Sequence, residues 1–250
     1  MIKLKSNEEI SLMAISGKLA SQAMLAVSEK VKPGVTTKEL DKVAHNVIVK
    51  NGGKPTFKGY RGFPGSICAS VNEEIVHGIP GTRRLEEGDI ISIDLGVLLG
   101  GYNSDLARTF AVGIIETEKK RLMDVTKESF FAGIDGFKKG NRLMDIAERI
   151  QKKAEDAGYS VVRELVGHGI GKDLHEPPDV PNFVFKGPNP RLQEGLVLAI
   201  EPMINMGVAG VIWCDDGWTV ITADKKPSAH YENTVALTEE GIKILTDSYV

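Results

Sequence analysis

The sequence predicts an α+β protein made of two similar halves, and three observations indicate this fold class. Amphipathic helical stretches at 6–51 and 116–158 are each followed by short runs rich in β-branched and apolar residues. The order of long helix, short helix and strands therefore occurs twice, as a repeat of pattern. Gly100-Gly101, between two apolar runs, is a hairpin signal. We expect the strands of both halves to join in one sheet, with the helices on one face and a cleft on the other.

The first half begins with two helices that carry their own start signals. A Ser-x-x-Glu capping box at 6–9 opens a helix predicted to run to Lys30. A Thr-x-x-Glu box at 36–39 opens a second helix that ends at Asn51. A loop rich in glycine and aromatic residues follows, and then come strands at 66–72 and 72–81 and the hairpin.

The second half repeats this order. A long helix is predicted over 116–138 and a shorter one over 143–157, separated by a Lys-Gly-Asn break. No linker divides the chain, so we expect one domain over 1–250 with halves of roughly 1–113 and 114–250. Strands are predicted at 159–165, 195–204, 211–224 and 230–238.

Composition excludes several classes of protein. A net charge of −3 gives no global reason to expect a nucleic-acid partner. Cys68 and Cys214 are too far apart for a metal-ligand motif, and reduced thiols in a cytoplasmic protein are expected. The N-terminus lacks the apolar run of a signal peptide. No run approaches about 18 consecutive apolar residues, so we expect no membrane span.

Two aspartates make the hairpin unusual. Asp94 and Asp105 lie in its two apolar strands, nearly opposite each other if the chain folds at the glycine pair. Two buried carboxylates at that distance repel each other and lose hydration. A shared proton, basic partners or metal ions could each relieve this cost.

Three further residues favour metal ions. His168 lies in GHGIG, whose small neighbours allow a close approach to the imidazole, and Glu201 and Glu232 lie in apolar strands. Any one of these acids alone could be satisfied by backbone N–H groups or an arginine. Together with Asp94 and Asp105 they form a hard, oxygen-dominated set with one nitrogen. Four carboxylates would balance two divalent ions of the Mn, Fe, Co or Zn type.

Five motifs occur in order along the chain: HGIP at 77–80, Asp94 and Asp105, GHGIG with His175 seven residues after His168, EPM at 201–203 and YENT at 231–234. Together they resemble type I methionine aminopeptidases of the short bacterial form. The resemblance spans essentially the whole chain and implies the pita-bread fold, a pseudo-twofold repeat of helices packed on a curved, mostly antiparallel sheet.

The resemblance implies roles for the five metal ligands. Asp94 would bind one metal through both oxygens, and Asp105 and Glu232 would bridge the two metals. His168 and Glu201 would complete the other site. Two divalent ions per subunit are expected, with Co, Mn, Fe, Zn or Ni as candidates.

The resemblance also implies a mechanism. A hydroxide bridging the metals would attack the first peptide bond, and Glu201 would take and pass the proton. His175 would stabilise the oxyanion, and His77 would contact the substrate backbone or the leaving amine. The free α-amino group would bind the metal beside Asp94, which explains exopeptidase action.

A methionine pocket is implied at four further positions. Tyr60, Phe63, Cys68 and Trp218 match residues that line this pocket in the family. Apolar walls around a thioether would select methionine over charged side chains.

The remaining histidines, His45 and His230, are interpreted as structural. The chain departs from the family at Leu165 and Leu174, where aromatic residues are common. These departures leave the tolerance for the second substrate residue open.

The expected function is removal of the initiator methionine from nascent proteins and peptides, with preference for a small second residue. We expect a cytoplasmic monomer that works near the ribosome, with no DNA or membrane partner. One alternative is a proline-specific aminopeptidase or dipeptidase of the same fold. The other is a non-catalytic binding module with the pita-bread fold.

Overall fold

The structure, a computed structural model, describes residues 1–247 of the chain. Two pairs of helices alternate with strands, which confirms the predicted repeat of long helix, short helix and strands. The helices are α1 (Asn7–Ser28), α2 (Thr37–Lys50), α3 (Thr117–Ile134) and α4 (Leu143–Asp156).

Both capping boxes form as predicted at the starts of α1 and α2. Helix α1 ends two residues before the predicted Lys30. Helix α3 ends at Ile134 rather than at 138, because the chain turns there and buries Phe137 completely in the core of the second half.

Short strands connect and follow the helices. In the first half they are β1 (Lys54–Pro55), β2 (Cys68–Val71), β3 (Glu74–Val76), β4 (Ile90–Leu99) and β5 (Tyr102–Ala111). In the second half they are β6 (Ser160–Val161), β7 (Gly167–Gly169), β8 (Glu176–Val180), β9 (Val197–Ile200), β10 (Met203–Asn205), β11 (Val211–Trp213), β12 (Val220–Thr222), β13 (Ser228–His230), β14 (Glu232–Thr238) and β15 (Gly241–Ile244).

Strands of both halves join in one large sheet, as expected, but the described strands also form two smaller sheets that were not predicted. The nine-stranded sheet has the order β1-β4-β5-β14-β9-β7-β8, with β2 added to β4 and β15 added to β14. It joins the two halves where β5 pairs with β14. The smaller sheets are β13-β10-β6 and β11-β12-β3. The named strands pair antiparallel throughout.

Two predicted strands are broken where the chain passes between sheets. The stretch 195–204 becomes β9 and β10, separated by Glu201 and Pro202. Proline has no backbone N–H to continue a ladder, so the strand leaves the large sheet there. The stretch 230–238 becomes β13 and β14 on either side of Tyr231, whose ring packs against Phe130 and under the Arg108 guanidinium.

The other two strand predictions in this half are only partly correct. The run at 159–165 forms just two residues of strand, β6. The run at 211–224 is a hairpin, β11 and β12, whose turn is closed by Asp216 accepting hydrogen bonds from the Trp218 and Thr219 backbone N–H groups.

Helix α1 packs on α2, β4 and β5 through its buried face. In the described part of the chain it is the one helix long and apolar enough, by length and composition alone, to cross a membrane. Half of its most apolar window is buried inside the protein. We therefore interpret α1 as a core helix of the first half.

The N-terminal segment is held to the second half by a buried ion pair. The Lys5 ammonium donates to a Glu176 carboxylate oxygen at 2.6 Å, and the side chains are 5% and 2% exposed. The Lys5 backbone N–H also donates to the Gly195 carbonyl at 2.7 Å. Glu176 directly follows His175, so this pair also holds the segment that carries that histidine.

We predict that Lys5→Met lowers the free energy of unfolding by about 3–5 kcal/mol, because it leaves the Glu176 carboxylate buried without its partner. The double variant Lys5→Met/Glu176→Gln should recover part of this loss. Guanidinium unfolding curves would measure both effects.

Lys3→Met is the matched control. Lys3 contacts Asp173 at 3.2 Å, where both side chains are more than half exposed, and it lies farther from Glu176, at 4.0 Å, than Lys5 does. Such a pair contributes about 0–1 kcal/mol. Equal effects of Lys3→Met and Lys5→Met would contradict the structural role of the buried pair.

Candidate metal centre

The β4–β5 hairpin brings the two aspartates together with an offset. Asp94 pairs with Ala107 and Asp105 pairs with Gly96, so the aspartates are diagonal neighbours two residues apart in register. The nearly opposite placement expected from the glycine pair is therefore a diagonal one, two residues out of register. They still share one face of the sheet, because side chains alternate with a period of two.

Glu232 extends this acidic row across the sheet. It is the first residue of β14 and pairs with Ala107, which also pairs with Asp94. The small Ala107 side chain therefore lies in register between two carboxylates on neighbouring strands. Glu201 reaches the same place from the break between β9 and β10.

His168 enters the cluster from β7, and its glycine neighbours allow this. A Cβ on Gly167 would lie 2.4 Å from the Ala199 carbonyl oxygen, so only glycine fits there. His168 Nδ1 is bonded to the Gly169 carbonyl at 2.9 Å, which makes Nδ1 the protonated nitrogen. His168 Nε2 then faces Glu201 at 3.7 Å and Asp105 at 3.9 Å with a free lone pair.

Burial controls the charge of the acids. Desolvation raises the pKa of Asp94 to about 7. It also raises the pKa values of Asp105, Glu201 and Glu232 well above their ordinary range, and the neighbouring carboxylates raise them further. Without a cation this cluster holds protons that carboxylates normally lose.

Basic side chains do not neutralise the cluster. Arg108 is buried nearby, but its guanidinium donates to the Ala107 and Glu232 carbonyls and to the Asn233 side-chain oxygen. It therefore contacts none of the carboxylates through a hydrogen bond. Of the three ways to relieve the cost of the buried carboxylates that the sequence left open, a shared proton and metal ions remain.

The donor set fits divalent cations. Side-chain oxygens of Asp94, Asp105 and Glu232 are buried and have no hydrogen-bond partner within residues 1–247. Ligand atoms of Asp105, His168 and Glu232 lie within 4.8 Å of one another. Oxygen atoms with one or two imidazoles suit Mn, Fe, Co, Ni or Zn rather than a structural thiolate zinc.

A cavity of about 190 Å³ opens beside these ligands. The residues predicted for metal binding, catalysis and substrate contact all line it: Tyr60, Phe63, Cys68, His77, Asp94, Asp105, His168, His175, Glu201, Trp218 and Glu232. Its apolar wall includes Phe63 and Trp218, which meet edge to face at 5.1 Å between ring centroids. Cys68 is buried in the same wall and pairs in register with Asp94.

Two histidines flank the ligands. The Tyr60 hydroxyl and His175 Nδ1 are 2.8 Å apart. Burial lowers the pKa of His175 and the nearby Arg61 lowers it further, so the ring is neutral at pH 7. Burial, with a smaller contribution from His175, lowers the pKa of His77 to about 4.

Three residues at the site were not predicted to be functional. Phe57 and Arg61 line the cavity from the same glycine- and aromatic-rich loop as Tyr60. His230, interpreted from the sequence as structural, is 1% exposed and lies among the acids. The HYE sequence at 230–232 could have indicated its position, because residues two apart on a strand share a face and Glu232 was already predicted to be a ligand.

Comparisons with known proteins agree with this site. Residues 11–239 match the profile of Metallopeptidase family M24. A methionine aminopeptidase of Clostridium perfringens is 54% identical over 98% of this chain and 99% of its own length.

Solved structures share the fold. The methionine aminopeptidase of Rickettsia prowazekii superposes with a TM-score of 0.96 at 40% identity, covering 99% of this chain and 100% of that one. A prolidase from Pyrococcus furiosus has a TM-score of 0.81 at 24% identity and is covered over 66% of its length, which shows the fold alone. The expected pita-bread fold, with helices on a mostly antiparallel sheet, is confirmed.

We predict that Asp105→Asn stabilises the metal-free protein at pH 8 but hardly changes it near pH 4. Folded Asp105 keeps a proton that the unfolded chain loses above about pH 4. Its contribution to stability is therefore present below that pH and is lost as the pH rises. Each unit of pKa difference corresponds to about 1.4 kcal/mol. Thermal unfolding in a chelator, from pH 4 to pH 8, would measure the widening gap.

Asp124→Asn is the control, because its carboxylate is more than half exposed. Its exposed ion pair with Lys120 contributes about 0–1 kcal/mol, so the gap from the wild type should change with pH far less than for Asp105→Asn. Added Mn²⁺ should reverse the order at pH 8, because only the intact acid set gains the binding energy of the ions. A gap between wild type and Asp105→Asn that is constant with pH would contradict the raised pKa.

Proposed function

The chain belongs to Metallopeptidase family M24 and, within it, to the methionine aminopeptidases, and from this premise we propose how its cleft removes the initiator methionine. It is a metalloexopeptidase that acts on the N-terminal methionine of proteins and peptides. The observation that carries the residue assignment is the convergence of the predicted ligands and pocket residues around one cavity.

The acids and His168 would hold two divalent ions. Asp94, Asp105, Glu201 and Glu232 supply four negative charges, which two dications balance, and His168 supplies a nitrogen. When bound, such ions acidify a water molecule and polarise the scissile carbonyl. Glu201 lies at the edge of the cluster with a 15% exposed side chain, which suits the transfer of a proton to the leaving amine.

His175 would stabilise the developing oxyanion. When Tyr60 donates its hydroxyl proton to Nδ1, the neutral ring carries its own proton on Nε2. That N–H is then available to an oxygen in the cavity without a change in protonation. His77, whose ring lies edge-on to that of Trp218 at 6.4 Å between centroids, would contact the substrate backbone.

The apolar wall would select methionine. Tyr60, Phe63, Cys68 and Trp218 belong to one apolar cluster beside the metal ligands. A thioether packs well against aromatic rings, whereas a charged side chain would lose its hydration there. Asp94 would hold the ion to which the free α-amino group of the substrate binds, which is why we propose exopeptidase action. We also propose a preference for a small second residue.

We further propose a monomeric, cytoplasmic enzyme that acts near the ribosome on nascent chains, with residues 1–250 as a single catalytic domain. The convergence of ligands from both halves of one chain supports a monomer. Free Cys68 and Cys214 are consistent with a reducing compartment. Residues 248–250 lie outside the described residues.

The substrate prediction is that Met-Ala-Ser is cleaved rapidly after its first residue, whereas Met-Leu-Ser is cleaved much more slowly. N-acetyl-Met-Ala-Ser should resist cleavage because it lacks the free amine. Ala-Pro peptides should also resist, because they do not fill the methionine pocket. Peptide cleavage followed by chromatography would measure all four, and preferential cleavage of Ala-Pro would identify a proline-specific peptidase instead.

The catalytic prediction separates the role of His168 from that of His175. His168→Ala should lose activity and bound metal together, because it removes a ligand. His175→Ala should lower kcat by about 10²–10³ while keeping its metal, because it removes an oxyanion donor. Metal analysis by emission spectroscopy, beside kinetics at saturating ion, would measure both, and an active His168→Ala enzyme would contradict the site.

A further inference from the structure

His230 is the buried histidine that the proposed mechanism leaves without a task. Its side chain is 1% exposed, and both ring nitrogens lack a hydrogen-bond partner in the described part of the chain. A buried polar group without a partner costs roughly 1–3 kcal/mol, so its presence calls for an explanation.

The backbone aims this ring at the acids. His230 ends β13, where it pairs with Met203 of β10, two residues after Glu201. Its backbone N–H donates to the Thr109 hydroxyl, which in turn donates to the His230 carbonyl, so the residue is held at both ends. Glu232 follows two residues later on the same face.

The distances are too long for hydrogen bonds and suit a shared cation. His230 Nε2 lies 3.7 Å from a Glu201 oxygen and 4.0 Å from a Glu232 oxygen. A hydrogen bond would need about 3.2 Å or less. Two ligands of one ion, each about 2.0–2.2 Å from it, stand about 3–3.5 Å apart. Ligand atoms of Glu201, His230 and Glu232 already lie within 4.8 Å of one another. A small rotation of the two carboxylates would bring them to the separation of ligands that share one ion.

We propose that His230 Nε2 is a sixth protein ligand of the dinuclear centre, bound to the cation that Glu201 and Glu232 share. Glu201 then lies between two imidazoles, with one oxygen toward His168 and the other toward His230. The inference rests on the proposed function only in that it concerns the same centre.

The chemistry of the centre changes accordingly. A neutral ligand leaves the balance of four carboxylates and two dications intact. A second imidazole favours Co²⁺, Ni²⁺, Fe²⁺ and Zn²⁺ over purely oxygen-seeking ions such as Mg²⁺. The ion preference of this chain should therefore lean further toward nitrogen-seeking metals than that of a centre with one histidine.

The test counts imidazole ligands directly. The wild-type protein with ¹⁵N-labelled histidine is loaded with Co²⁺, and hyperfine-shifted imidazole N–H signals are observed by NMR. Two such signals are expected, one from Nδ1–H of His168 and one from Nδ1–H of His230. A single signal in the wild-type protein would overturn the proposal, and this measurement needs no variant that must fold.

Two variants assign the signals. His230→Gln, which can still hydrogen-bond but is a poor ligand, should lose one signal and weaken one Co²⁺ equivalent about 10- to 100-fold by calorimetry. His45→Gln is the matched control, because His45 bonds Ser66 at 2.9 Å and does not line the ligand cluster, and it should keep both signals. Unchanged signals in His230→Gln would overturn the proposal even if metal affinity fell.

Failure of this inference is distinguishable from failure of the proposed function. Two ligated imidazoles in a protein that does not cleave Met-Ala-Ser would support the sixth ligand and refute the peptidase assignment. One ligated imidazole in a protein that cleaves Met-Ala-Ser would refute the sixth ligand and support the peptidase assignment.

Discussion

The electrostatic cost of four carboxylates gathered in one buried cluster is the constraint on which this structure depends. Burial raises the pKa of each acid, and neighbouring carboxylates raise the pKa values of Asp105, Glu201 and Glu232 further. The buried Arg108 guanidinium donates to backbone carbonyls and a side-chain amide oxygen, and so does not neutralise the acids. Retained protons relieve this cost in the metal-free protein, and bound dications would relieve it in the metal-loaded one. The fold therefore holds together a set of ligands whose burial lowers the stability of the protein until metal ions bind.

Two breaks between strands bring ligands to this cluster. Proline at 202 ends β9 and leaves Glu201 at the edge of the large sheet, free to reach the ligands. The break at Tyr231 moves the chain from the β13 sheet to β14, which places His230 and Glu232 on one side and the tyrosine ring on the other. At each break the strand loses ladder hydrogen bonds, and a metal-ligand side chain is placed there instead. Functional sites commonly depart from regular structure in this way.

Much of this could be predicted from the residues because the signals are local. The capping boxes and the glycine-paired hairpin determine their structure within a few residues, and each formed as expected. No strand was predicted at GHGIG, where the structure has β7. The Gly100-Gly101 turn pairs Leu99 with Tyr102, and this fixes the hairpin register that makes Asp94 and Asp105 diagonal neighbours. The predictions fell short where distant contacts decide. His230 was interpreted as structural because no local sequence pattern shows which side chains surround a buried ring.

The amino-acid sequence by itself determined the repeated α+β order, the identity of the acids and His168 as a hard ligand set, and the family to which the chain belongs. The division into three sheets, the register that lines up Asp94 and Glu232 across Ala107, and the position of His230 beside them were decided by tertiary structure alone. The physical reason is range: capping, turns and periodicity act between neighbours along the chain, whereas charge repulsion and metal coordination act between side chains that only folding brings together.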